Sequence, residues 1–484
     1  MRSTRHTPLE PEDWESFERL LVRLASEARH ALEHIGEKPV WQRPPQSVRD
    51  AFNSNLPIHG EGIDAVYDQF KQDLEPFVVG NRHPNYLGWV IGSGIPASMI
   101  GDWLAALVNS VPTLFDDSSA LTELQVLNWI KQLVGMPADC SAILTTGVSE
   151  STLIALRVAT YAALGDSIRL NGVAHAAHKP VFYISDETHD CARKAIQILG
   201  FGSMHIRVLK TDPDFSMRAS DLAAAIQEDL AAGRIPVAVI ATIGTVNTGA
   251  CDDISAIADI CSDHDVWLHV DGAFGIWSAI TSVKNHLTSG IERADSLVFD
   301  LHKWMYQTYD VGCAIIQDLE LHRKALETHA DYLAPLPGSV RDGPADLCSL
   351  SIQLSRGFKA LKIWFSLKSE GVEAFASAIE RNLELAHEMT ELVNASPDLE
   401  LLAPTNLHIV NLRFIREMAS PASLNACNEH IVRQLQVDGI AVPSSTMING
   451  KFSIRVCFSN HRANRSHVDL VVSAIEQAGH DYYA

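Results

Sequence analysis

PVFYISDETHDCARKAIQILGFGSMHIRVLK, residues 180–210, reads as strand, helix, strand. PVFYIS is a short apolar run rich in β-branched and aromatic residues, the pattern of a strand buried on both faces. HDCARKAIQILG changes to helical spacing and stops on a glycine. IRVLK returns to the strand pattern. Alternation of this kind predicts an α/β layer built on a mostly parallel sheet.

The alternation continues on both sides. SAILTT (141–146), PVAVIATIG (236–244), VWLHVDG (266–272), SLVFDL (296–301) and GCAIIQ (312–317) read as further buried strands. ESTLIALRVATYAAL and ASDLAAAIQEDLAAG read as helices between strands, and RGFKALKIWFSLKSEG as a long helix after them. The expectation is a large domain with a seven-stranded, mostly parallel sheet. From about residue 382, helix (NLELAHEMTELVNAS) mixes with strands (HIVNLRFI, FSIRVCF), as in a small α+β domain. At the other end, residues 14–36 place Phe17, Leu20, Leu21, Leu24, Ala28, Ala31, Leu32 and Ile35 on one helical stripe. Pro44 and Pro45 break that helix, and GIDAVYDQFKQDLEPFV forms a second. Such a pair has too little to bury alone and is expected to pack on another subunit. The predicted division is a helical arm over 1–85, a large α/β domain over 86–381 and a small C-terminal α+β domain over 382–484.

The bulk composition excludes several classes. Hydrophobic residues make up 46 % of the 484 and charged residues 20 %, ordinary for a globular chain. A formal net charge of -21 argues against nucleic acid and anionic membranes as partners. The first residues, MRSTRHTPLEPEDWE, are polar, and no run of eighteen apolar residues occurs. Cys140, Cys191, Cys251, Cys261, Cys313, Cys348, Cys427 and Cys457 are scattered without a CxxC pair, against a zinc site or disulfide framework. The reading is of a cytoplasmic protein with reduced thiols. HAAH (175–178) has i, i+3 spacing but sits in a polar loop without nearby Cys or Asp, so no metal site is expected.

Four features fall at strand ends. TTGVSEST (145–152) joins a strand to a helix through Gly147 and Ser149, which serves either as a plain N-cap or as an anion cradle of free amides. Asp271, in LHVDGAFG (268–275), ends an apolar strand and either caps the next turn or answers a cationic heterocycle. His189, in SDETHD, is placed to stack, titrate or cap. Lys303, in FDLHKWMYQTYDVG (299–312), lies between two apolar segments and either snorkels past the core or is held in a pocket for chemistry. Together these suit pyridoxal 5'-phosphate (PLP), which needs a phosphate cradle, a lysine and a carboxylate beside its pyridine nitrogen. His189 would stack on the ring, and Ala273 is small enough to meet its other face.

HVDGAFG, FDLHKW and SDETHD occur in the order and at the spacings of the group II PLP-dependent amino acid decarboxylases, and the chain resembles that family from about residue 50 to 475. HPNYLGWV (83–90), ALTELQVLNW (120–129), TTGVSEST, ATIGTVNTGACDDI (241–254) and QLSRGFKALKIWF (353–365) extend the resemblance. It implies a fold-type I PLP enzyme acting as a carboxy-lyase on an L-amino acid. Lys303 is then the Schiff-base lysine, with His302 beside the phosphate. Asp271 is the partner of the pyridine nitrogen and His189 the stacking residue. Gly147, Val148 and Ser149 form the phosphate turn, and Thr245 and Asp252 brace the ring from behind. Tyr332 matches a loop tyrosine that returns a proton to Cα; relatives with phenylalanine there tend to release aldehyde with oxygen uptake. The resemblance further implies a homodimer with active sites at the interface, residues around Val111 to Phe115 reaching the partner's site. Val246, Gly272, Phe274 and Asp300 depart from the better-known animal enzymes. Asp300 stands where an asparagine often meets the phosphate, so its carboxylate is expected to point elsewhere or meet a cation. HPNYLGWVIGSG and Phe274 suggest an apolar pocket for an aromatic or bulky apolar side chain.

Overall fold

The structure is a computed structural model describing residues 9–175, 179–327, 331 and 334–484. In chain order the strands are β1 (Tyr86–Leu87), β2 (Ser141–Thr145), β3 (Pro180–Ser185), β4 (Ile206–Leu209), β5 (Ile235–Thr242), β6 (Trp267–Asp271), β7 (Ser296–Asp300), β8 (Gly312–Ile316), β9 (Leu399–Leu401), β10 (Ile409–Phe414), β11 (Val442–Ile448) and β12 (Lys451–Cys457). All seven apolar runs of the central segment become strands of one sheet, in the order β2-β8-β7-β6-β5-β3-β4. β3 pairs in parallel with β4 and β5, β5 with β6, and β6 with β7. β8 alone runs against its neighbours β2 and β7. β2, β3, β7 and β8 are buried along their whole length, as strands covered on both faces by helices must be.

Local chemistry sets the helix starts. Asp117 and Asp253 cap the helices Ser118–Val134 and Ile254–His264 by accepting the amides of Ala120 and Ala256. The helix predicted from residue 62 begins at Ile63 but gives way to a wider turn over Phe70–Leu74 and a tighter one over Glu75–Phe77. Pro76, which has no amide to donate, stands in that last turn. Of the apolar stripe on Trp14–Glu33, only Leu20 is buried; Trp14 and Val22 stay 61 % and 66 % exposed.

The small sheet has the order β1-β11-β12-β10-β9. Here the structure departs from the predicted division in two places. β1, at the start of the large segment, joins the C-terminal sheet, pairing in parallel with Val442 and Pro443. Residue 382 falls inside the helix Val372–Ala395, whose length carries it from one unit to the other.

Arg356 ties the helix Ser118–Val134 to β2. Its guanidinium pairs with Glu123 and donates to Leu144 O at 2.8 Å and Pro112 O at 3.1 Å, with both side chains almost wholly buried. Removing one partner of such a pair leaves an unanswered charge in the interior. Glu123→Ala is expected to cost about 3–5 kcal/mol, and Glu123→Gln less because an acceptor survives; the shift in urea midpoint of each variant measures this.

Candidate active site

Five segments meet at the carboxyl edge of the large sheet, where ligands of open α/β sheets bind. They supply Thr146–Ser149 after β2, His189 after β3, Thr242, Gly244 and Val246 from the end of β5, Asp271, Ala273 and Phe274 from β6, and Asp300, His302 and Lys303 from β7. Together with Trp89, Val90, Tyr309 and Asp310 they line a cavity of about 440 Å³. A larger cavity, about 670 Å³, opens beside Trp267, Arg293 and Asp295, around residues at the start of β5 and β6, at the opposite end of those strands.

Lys303 does not snorkel. Its Nζ lies 2.8 Å from Asp300 Oδ2, and the lysine side chain is only 22 % exposed. Burial disfavours the ammonium, but Asp300, with Asp271 farther off, holds the pKa above the ordinary lysine value. Asp300 Oδ1 accepts the amide of Val148, the first residue of the helix Val148–Leu164, at 2.8 Å. The expectation that this carboxylate meets a cation is met by Lys303. His302 accepts Val311 N–H at Nδ1 (3.1 Å), so the neutral ring carries its hydrogen at Nε2, 3.6 Å from Asp300 Oδ2. Burial lowers its pKa, and the ring of Tyr309 packs on it with centroids 4.2 Å apart.

The glycine that closes the lysine segment has a packing reason. In the antiparallel ladders Gly312 faces both Thr145 of β2 and Asp300 of β7. A Cβ there would stand 2.6 Å from Gly147 Cα and 3.0 Å from Asp300 Oδ1. Only glycine lets the turn after β2 and the end of β7 close on one point.

Asp271 is 3 % exposed, and its Oδ1 accepts Ala273 N–H at 3.0 Å. Burial pushes its carboxyl up, against the pull of Lys303. The Cys191 Sγ lies 3.9 Å from Oδ2, and burial raises that thiol beyond the ordinary range. His189 does cap a helix: its Nδ1 accepts Cys191 N–H at 3.2 Å, leaving Nε2–H as the ring's donor.

Gly147, Val148, Ser149, His189, Asp271, Ala273, His302 and Lys303 thus line one cavity. Thr245 does not. Its hydroxyl is spent inside the turn, 2.9 Å from Thr248 Oγ1 and accepting Ala250 N–H at 3.1 Å. Asp252 ties down the strand end beneath: its carboxylate accepts Thr242 N–H and Met217 N–H, each at 2.7 Å, and burial raises its pKa to about 6. Thr242 and Tyr309 line the cavity without having been singled out in the sequence. Thr242 ends a strand and Tyr309 follows the lysine, so position along the elements was the available signal. Tyr332 and residues 176–178 of HAAH lie outside the described residues. Among the described residues no group of three or more His, Cys, Asp or Glu is arranged to hold a metal, and no helix is long and apolar enough to cross a membrane.

The residues fit PLP in kind. An amine, a buried carboxylate, a flat imidazole and a helix-start turn border one space, and Thr242 contributes a buried hydroxyl with no hydrogen-bond partner among the described residues. A mostly parallel sheet that gathers these groups at its carboxyl edge is the architecture of a fold-type I PLP enzyme. The pyridoxal-dependent decarboxylase conserved domain matches residues 45–415. The chain is 32 % identical over 449 residues to the aromatic-L-amino-acid decarboxylase of Bacillus atrophaeus, covering 92 % of each, and 27 % identical over 482 residues to the phenylacetaldehyde synthase of Petunia hybrida, covering 96 % of this chain and 94 % of that one. Its fold matches the crystal structure of Oryza sativa TDC with PLP and tryptamine at a TM-score of 0.90, with 24 % identity and 99 % of each chain covered. Mouse CSAD matches at 0.89, with 22 % identity, over 97 % of this chain and 100 % of that one. The chain belongs to the pyridoxal-dependent decarboxylase family; it is a PLP-dependent amino acid decarboxylase.

The cap at His189 separates two roles of that residue. His189→Asn retains a cap acceptor and is expected to hold stability within about 0.5 kcal/mol, whereas His189→Ala loses about 1 kcal/mol. Thermal unfolding of the two variants reads the difference, whatever either does to turnover.

Proposed function

We propose that the chain decarboxylates an L-amino acid with an aromatic or other bulky apolar side chain, releasing the amine and CO2. One observation carries this reading: the cavity sets Lys303, Asp271 and His189 among apolar side chains, Trp89, Val90, Val246, Ala273 and Phe274. Relatives named as aromatic-L-amino-acid, tryptophan and tyrosine decarboxylases support it.

When bound, PLP supplies an electron sink for the pair released at Cα as CO2 leaves. Lys303 would hold the cofactor through its Nζ, the amine that lines the cavity beside Asp300. Asp271 would answer a protonated pyridine nitrogen; a cation there would oppose the burial that raises its pKa and keep the carboxylate ionised. Val148 and Ser149 offer helix-start amides to the phosphate, Gly147 keeps the turn open, and His302 flanks it. His189 and Ala273 line the cavity and would flank the ring, while Thr245 stiffens its own turn through Thr248 and Ala250. The apolar wall excludes water from the departing carboxylate and receives the side chain. Tyr332 returns the proton to Cα.

A second reading has its own support, because phenylacetaldehyde synthases align with this chain about as well as tryptophan decarboxylases do. In that reaction oxygen and water are consumed, and aldehyde, CO2, ammonia and peroxide leave. Tyrosine at 332 favours the amine.

The protein works as a homodimer in this proposal. Trp14, Val22, Phe52, Ile63, Trp103 and Leu107 expose apolar surface on the N-terminal segments, which a second copy would cover. Its eight cysteines are free, which suits the reducing cytoplasm.

Lys303→Ala is expected to abolish CO2 release, and steady-state release by that variant would falsify the assignment. Tyr332→Phe is expected to shift product from amine toward aldehyde and peroxide; an unchanged amine yield removes the tyrosine from the reaction. A panel of L-amino acids, with CO2, amine, aldehyde and peroxide followed together, tests the substrate class. Turnover confined to acidic amino acids defeats the apolar assignment.

A further inference from the structure

We propose that Asp300 is an internal anion that competes with the cofactor's phosphate for the turn at Gly147–Ser149, and that it sets the cofactor affinity of this chain below what the turn alone would provide. The inference rests on the assignment of that turn to the phosphate.

Three observations carry it. Asp300 Oδ1 takes the Val148 amide at 2.8 Å, which is the donor a phosphate would need at the helix start. Asp300 Oδ2 takes Lys303 Nζ at 2.8 Å, which is the nucleophile the aldehyde would need. The space for that carboxylate is built by absent side chains: a Cβ on Gly147 would stand 3.3 Å from Oδ1, and one on Gly312 3.0 Å. Asp300 is itself only 3 % exposed. The carboxylate is therefore seated in the cradle, not grazing it.

Cofactor binding costs Asp300 both partners. The phosphate would claim the amide, and condensation of the lysine amine with the aldehyde, in which C=N replaces C=O and water leaves, would take that amine out of the ion pair. What remains is a carboxylate beside a phosphate, a repulsion that a partly buried site screens poorly. His302 Nε2, 3.6 Å away, is the donor nearest at hand for the displaced carboxylate. An asparagine at 300 has the same shape, carries no charge and offers its own N–H to the phosphate. The same ion pair also protects the lysine, because a protonated amine does not attack an aldehyde. Asp300 thus acts on capture of the phosphate and on capture of the aldehyde alike, and the fraction of enzyme carrying cofactor follows cofactor supply.

The test compares full-length wild type with Asp300→Asn. Cofactor is removed from each, and PLP is titrated back by equilibrium dialysis and by the visible absorbance of the bound form. Separately, inorganic phosphate alone is titrated against the cofactor-stripped proteins by thermal shift. The expected result is PLP held tighter by about tenfold or more in Asp300→Asn, with a larger rise in melting temperature at equal phosphate. Equal or weaker PLP and phosphate binding, with an unchanged far-UV spectrum, overturns the proposal. Should Asp300→Asn fail to fold, Asp300→Ser removes the same charge and is read by the same two titrations. Binding of PLP by neither wild type nor variant would defeat the cofactor assignment itself; equal binding by both defeats only the competition.

Discussion

A charge withdrawn from water must find its opposite, and at the carboxyl edge of the large sheet one ammonium stands against two carboxylates. Lys303 is held by Asp300, while Asp271 lies behind it, 3 % exposed, with an Ala273 amide and a weak thiol contact. That imbalance orders the chemistry. The chain's own groups do not offset the burial of Asp271, so this carboxylate would gain from a cationic ring. Lys303 is kept charged by Asp300. Strand ends that look like ordinary loops form a small electrostatic circuit among Lys303, Asp300 and Asp271.

The circuit depends on how tightly the backbone closes around it. β8 is inserted between β2 and β7 and runs against both, which brings the ends of those two strands to either side of Gly312. A parallel strand there would have put its amino end at the opposite edge. Beneath the next pair of strands, the Asp252 carboxylate binds two amides and fixes the end of β5 where Thr242 borders the cavity. Neither Gly312 nor Asp252 faces a substrate, yet both determine where the reactive groups stand.

Much of this was legible in the sequence. The seven apolar runs each became a strand, because a stretch buried on both faces writes its burial directly into its composition. The strand-end polar residues Asp271, His189 and Lys303 stood out because apolar runs rarely stop on charge without cause. The order of the strands was not legible, since uniformly apolar runs carry no register or neighbour information. Nor was the partner of Asp300, whose cation lies one helical turn along the chain but whose amide comes from residue 148. The partners of Thr245 were not legible either: its hydroxyl is consumed by the turn, beside Thr248 and the Ala250 amide. Residue 382 lies inside the continuous helix Val372–Ala395, and β1, two residues long, has no periodicity to read.

β1 also bears on how the protein is made. Tyr86 and Leu87 complete their hydrogen bonding only beside Val442 and Pro443, and the Trp89 amide rests on Ser444 Oγ, 355 positions further on. Arg455 then grips the Trp89 carbonyl at 3.1 Å. A ribosome must therefore deliver nearly the whole polypeptide before the backbone of Trp89, which lines the cavity, finds these partners. Closing contacts so remote in sequence is slow, so a chain cut short of residue 442 would keep Lys303 while losing what holds the backbone of Trp89 at the same cavity.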